Sequence, residues 1–134
     1  MSRNGPLRLK IMLYCGEVTA MGPGKAELLE AIDRQGSISS AGRSMGMSYR
    51  RAWSLVDTMN RCWSEPVVQT TVGGSGKGGA KLTAFGFRLL GAYRELEARL
   101  AEAAAQGPFH DFEQNLLAAP RPAPRAAGAE EAEA

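Results

Sequence analysis

The 134-residue chain has room for one small domain with a modest core, and its net charge of +2 hides an uneven distribution. Between Arg34 and Arg94 nine Lys/Arg face only Asp57 and Glu65, a net +7, while the remainder sets seven basic against twelve acidic residues, a net −5. Such a basic block is an electrostatic footprint for a polyanion, whereas two isolated cysteines and one histidine make no zinc-like cluster and no apolar run reaches membrane-spanning length.

Residues 1–6 are expected to form a flexible N-terminus. Leu7-Arg8-Leu9-Lys10-Ile11-Met12-Leu13 then alternates apolar and basic, the period-two pattern of a half-buried strand. The charges within this stretch exclude a signal peptide, so a cytoplasmic protein is expected. In such a reducing compartment Cys15 and Cys62 are expected as core thiols, with a disulfide between them as the alternative. Met21-Gly22-Pro23-Gly24 reads as a turn. A helix follows over about Lys25–Arg34, with Leu28, Leu29 and Ile32 on one face and Gly36 as its stop.

Gly36 to Asn60 carries the sharpest signal. Ser39 is placed to cap a short helix, about Ser40–Met45, in which the small Ala41 and Gly42 admit a crossing helix. Gly46 supplies a turn, and Ser48 caps a second helix from Tyr49 to about Trp63. On a helical wheel Ala52, Trp53, Leu55, Val56, Met59 and Trp63 gather on one side. Arg50, Arg51, Ser54, Asp57, Thr58 and Arg61 gather on the other. A short helix, a Gly-centred turn and a longer basic helix are the sequence form of a helix-turn-helix.

Val67–Val72 is β-branched, and Ala80-Lys81-Leu82-Thr83 suits a return strand, with a Gly/Lys loop between them. This hairpin, residues 67–83, would be a wing with Lys77 near its tip. Gly74-Ser75-Gly76-Lys77-Gly78-Gly79 formally satisfies a dinucleotide-binding GxGxxG, yet no helix begins at Gly79 and no βαβ unit surrounds it. A phosphate-binding Walker loop also fails, since Thr71 stands where Gly is required and Gly78 follows Lys77. No catalytic triad or paired carboxylates stand out, so no enzyme and no cofactor is expected.

Thr83 can cap a long helix over about Ala84–Ala105. Its Leu82, Gly86, Leu89, Tyr93, Leu96, Leu100 and Ala103 recur at spacings of four and three, a heptad seam for a partner helix. Residues 107–118 read as a short helical extension. The Ala/Pro/Glu composition of residues 119–134 is expected to be disordered.

Taken together, Gly24-Lys25-Ala26-Glu27-Leu28-Leu29, Gly36-Ser37-Ile38-Ser39, Ser48-Tyr49-Arg50-Arg51-Ala52-Trp53, Asn60, the wing glycines and Leu82-Thr83 resemble the N-terminal DNA-binding domain of molybdate-dependent transcriptional regulators of the ModE type, a LysR-like winged helix-turn-helix. The resemblance covers about Leu7 to Leu100. It implies a homodimer on double-stranded DNA, reading a palindromic operator through helix 49–63 and the wing. Ser48, Tyr49, Arg50, Arg51 and Ser54 map onto the recognition-helix motif and would contact bases. Arg43, Thr58, Arg61, Lys77 and Lys81 would contact the DNA backbone. Leu89, Tyr93, Leu96 and Leu100 would form the dimer seam. Full-length members of that family carry C-terminal oxyanion-binding domains, for which this chain has no room after its long helix. A stand-alone form without direct molybdate binding is therefore expected.

The expected fold is mainly α with a small β component: a winged helix-turn-helix domain over residues 7–106 ending in a dimerisation helix. The expected function is sequence-specific transcriptional regulation, and the resemblance implies molybdenum-related target genes. The competing reading is a winged-helix protein-interaction module that does not touch DNA, against which the +7 block argues.

Overall fold

The computed structural model describes residues 5–71 and 78–124. Nine elements follow in order: β1 (Leu13–Cys15), β2 (Val18–Met21), α1 (Pro23–Gln35), α2 (Ile38–Ser44), α3 (Tyr49–Cys62), β3 (Val68–Thr71), β4 (Gly79–Leu82), α4 (Ala84–Ala104) and α5 (Phe109–Asn115). The protein is mainly α with two small antiparallel sheets, β1–β2 and β3–β4, in the winged helix-turn-helix arrangement. The chain divides into one unit up to Ala103 and a second from Ala104 onward. In the second, α5 lies within the segment read as a helical extension, and residues 119–124 are irregular and exposed.

The N-terminal region departs from its expected form. Residues 7–12 are not a strand; pairing begins only at Leu13, opposite Met21, and ends at Cys15 opposite Val18. The turn between is made at Gly16, whose φ of 62° suits glycine. The partner strand is short because Pro23 occupies the start of α1, so no strand pairs with residues 7–12. The two thiols are free. Cys15 is exposed, not a core residue, and Cys62 is half-buried.

Helix α1 stops at Gly36, in the left-handed region with φ 80°, where its N–H donates to Ile32 O. The next helix starts two residues earlier than expected. Ser37, not Ser39, is its cap, and its Oγ accepts from Ser40 N at 3.1 Å. Starting there puts Ile38 in the core, a burial that a cap at Ser39 would leave outside the helix. Helix α3 keeps Ser48 as its cap, with Arg51 N donating to Ser48 Oγ at 3.1 Å.

The core gathers Met21, Leu28, Leu29, Ile32, Ile38, Ala52, Val56, Met59, Val67, Val68, Leu82 and Tyr93. Its polar hub is Asn60. Asn60 Oδ1 accepts from Val67 N (2.8 Å) and Val68 N (3.1 Å), and its Nδ2 donates to Val68 O (3.1 Å). This ties α3 to the first wing strand. The same stretch anchors α4: Thr83 Oγ1 donates to Pro66 O at 2.8 Å and accepts from Gly86 N at 2.9 Å, while Thr83 N donates to Val67 O. A Cβ on Gly86 would lie 2.1 Å from Val67 O, so only glycine allows α4 to cross β3 here. On the other side, Ala80 N donates to Gly36 O, holding β4 to the α1–α2 corner.

Two outcomes are expected in urea unfolding. Asn60→Ala leaves two part-buried backbone N–H groups without acceptors and should cost about 2–4 kcal/mol, with Asn60→Asp costing less because its oxygens can still accept. Gly86→Ala forces a methyl onto a carbonyl and should cost about 3 kcal/mol or more; a loss below about 1 kcal/mol would show that α4 shifts freely.

Candidate nucleic-acid interface

The helix-turn-helix is set by a close approach of two small residues. A Cβ on Gly42 of α2 would sit 2.9 Å from Ala52 Cβ of α3. Between the helices, Gly46 takes a φ of 71° and Met47 N donates to Gly42 O at 2.9 Å. At its far end α3 is held by Trp63, whose indole Nε1 donates to Ala20 O at 3.2 Å. The helix is thus fixed near its start by α2, and in and just after its last turn by Asn60 and Trp63.

Ala52, Val56 and Met59 form the buried face of α3, with Leu55 and Trp63 half-buried at its edges. Trp53 does not belong to that face. It is 48% exposed, because it lies about a quarter-turn from the Ala52–Val56–Met59 stripe. Ser48, Tyr49, Arg50, Arg51 and Ser54 are exposed, so the expected base-contacting group lies on one open end of the helix. Ser48 Oγ already serves as the cap acceptor, which leaves its hydroxyl hydrogen and one lone pair for another partner.

The expected backbone-contacting residues are less uniform. Arg43 is exposed on α2, its guanidinium 3.4 Å from Ser40 Oγ. Lys81 projects from the solvent face of β4, between the buried Ala80 and Leu82. Thr58 is half-buried. Arg61 is exposed but paired with Asp57 at 3.1 Å, an i,i+4 contact that offsets part of its charge. Lys77 and the glycines before it lie outside the described residues, as do Ser2, Arg3 and Asn4.

Two further cations that belong to the basic count have structural duties. Arg94 donates to both oxygens of Glu30 (3.1 and 2.6 Å) and to Glu97 (2.7 Å), joining α4 to α1. The Glu30 carboxylate, followed by Glu97, raises its already high pKa, so it stays charged. Arg88 lies over the Phe85 ring at 5.4 Å. Conversely, Lys25 adds a cation near α3 that charge counting alone does not single out. Burial lowers its pKa, the Arg51 charge acts in the same direction, and Cys62 opposes them. Its distance from α3 in sequence hides this proximity.

The heptad seam divides. Leu82 is buried in the chain's own core, Gly86 meets Val67, and Leu89 packs against that core. Tyr93 is 3% exposed and donates its hydroxyl to Ile11 O at 2.8 Å, so it is occupied within the chain. Burial, then the Glu97 carboxylate, pushes its hydroxyl pKa up. Leu96 and Leu100, by contrast, are 38% and 41% exposed. Among the described residues no metal-holding cluster occurs, and no helix is long and apolar enough to cross a membrane.

No family model matches the chain. It is 44% identical over 79 residues to the molybdenum transport protein ModE of Azotobacter vinelandii, which covers 59% of this chain and 29% of that protein. Over 98 residues it is 36% identical to the molybdenum-pterin-binding protein MopA of Rhodobacter capsulatus, covering 73% and 37% respectively. Against the DNA-binding transcriptional dual regulator ModE of Escherichia coli K12 it is 39% identical over 71 residues, covering 53% and 27%. The chain thus spans about a third of the length of the curated relatives it matches.

The Gly42–Ala52 contact makes a double-mutant prediction. Gly42→Ala should destabilise by about 1–3 kcal/mol through overpacking. Combined with Ala52→Gly, the two should cost less than their sum, since the second removes the methyl that the first strikes. Strict additivity in urea unfolding would mean that the helix crossing relaxes elsewhere.

Proposed function

We propose that this chain, a ModE-type winged helix-turn-helix protein by sequence and fold, is a transcriptional regulator that binds DNA as a homodimer. The observation that carries the reading is the N-terminal end of α3, where Tyr49, Arg50, Arg51 and Ser54 are exposed together on a helix held at three points. A helix held in this way, with two exposed arginines at its leading end that have no carboxylate partner among the described residues, suits the major groove, where Arg reads the N7 and O6 of guanine. Arg43 of α2 and Lys81 of β4 are exposed and suit phosphates, which supply affinity without sequence preference. Arg61 and Thr58 are secondary in this scheme, the first because of its ion pair and the second because of its burial.

The second copy would pair through the outer half of α4. With Tyr93 occupied internally, Leu96 and Leu100 are the apolar residues left for a partner helix. A two-fold pair would place two copies of α3 on a palindromic operator, with half-sites about one or more helical turns apart. The molybdenum-related names of the relatives support target genes in molybdenum handling.

Arg50→Ala should lose about 1–3 kcal/mol on a selected duplex and relax one base position, with little effect on random duplex. Lys81→Ala should weaken both alike and reduce the slope of log K against log salt by about one. A gel shift with random competitor measures the first and a salt titration the second. Equal losses for Arg50→Ala on both duplexes would remove it from the base-reading set. Leu96→Asp with Leu100→Asp should give a monomer in sedimentation at micromolar concentration; a wild-type monomer would overturn the dimer.

A further inference from the structure

Between the recognition helix and the wing lies an open cleft of about 460 Å³. It is walled by Ser37 and Ser39 at the start of α2, by Tyr49 and Trp53 of α3, and by Thr70 and Thr71 of β3. Its aromatic wall is open to solvent. Tyr49 and Trp53, one helical turn apart, are 57% and 48% exposed. Trp63 uses its indole N–H to hold α3 to β2, whereas the Trp53 indole has no such partner among the described residues. Among the described residues the remaining lining is hydroxyl-bearing or glycine, with Ile38 behind it, and none of these residues carries a charge. An apolar ring beside several hydroxyls matches a deoxyribose joined to a phosphate: the ring covers the sugar, and hydroxyls donate to the phosphate oxygens.

The position of the cleft adds a second argument. If α3 enters a major groove and the wing lies on the neighbouring minor groove, the strand that separates the two grooves must run between them. We propose that this cleft seats that strand, with the Trp53 ring packed on a deoxyribose and Ser39 and Thr70 donating to the adjoining phosphate. The inference rests on the DNA-binding reading above and assigns a sequence-independent clamp beside the base readers.

The test uses the full chain and two 30-bp duplexes with a fluorescent end label: one recovered by in vitro selection with the wild-type protein, one random. Trp53→Ala should weaken binding to both about tenfold while leaving base preference unchanged. Trp53→Phe should recover most of the loss, and Thr70→Val should produce a smaller uniform loss. In parallel, the DNA-dependent protection of tryptophan fluorescence from acrylamide should be present in wild type and absent in Trp53→Phe, where only Trp63 reports. This comparison leaves the structural Trp63 untouched. Wild-type binding to the labelled duplex with no protection of Trp53 would overturn the strand seat and leave the DNA-binding reading standing. A Trp53→Ala loss confined to the selected duplex would also overturn it, in favour of base reading. No binding to either duplex would defeat both.

Discussion

Three elements meet on the backbone of Pro66 to Val68, and their geometry depends on it. Asn60 closes three hydrogen bonds onto Val67 and Val68, Thr83 grips Pro66 and Val67, and Gly86 lets α4 pass against the Val67 carbonyl. Backbone groups removed from water must find partners, and here the partners come from different elements. The recognition helix, the wing and the long helix are therefore set against one short stretch of chain. A reader of DNA needs this, because its side chains are useful only when the distance from helix to wing is fixed.

Charge was sorted by the fold into two kinds. Arg94 joins α4 to α1 through Glu30, Arg88 covers Phe85, and Arg61 is held by Asp57. Arg50 and Arg51 remain exposed at the start of α3. A net +7 over a segment thus overstates the charge available to a polyanion. What matters is which cations lack a carboxylate or ring of their own, and that is decided by side chains far apart in sequence. The same sorting applies to the heptad of α4, whose first half is consumed by the domain core and whose second half stays open.

Much of the architecture was legible because it rests on local rules. Ser48 and Thr83 cap helices where a hydroxyl precedes an amphipathic run, and Gly36 and Gly46 take the positive φ that marks helix ends and turns. The wing follows from β-branched residues around glycines, with Thr70 opposite Ala80 and Val68 opposite Leu82. The failures have equally local causes. Residues 7–12 alternate like a strand but have no strand partner, because β2 ends where Pro23 starts a helix. Ser37 outcompetes Ser39 as a cap because only that register buries Ile38. Trp53 looks like core by composition, but its angle on α3 carries it past the buried stripe.

By itself the sequence determined the order of the helices, the caps of α3 and α4, the hairpin wing and the group of exposed residues at the head of α3. Each follows from hydrogen-bonding and periodicity within a few residues. Only the tertiary structure decided which of those residues are free. Tyr93 left the seam to bond Ile11, Arg94 left the basic face to bond Glu30, and Trp53 left the core to line a cleft with the wing. Burial and pairing are relations between distant segments, and a local pattern can name the candidates without choosing among them.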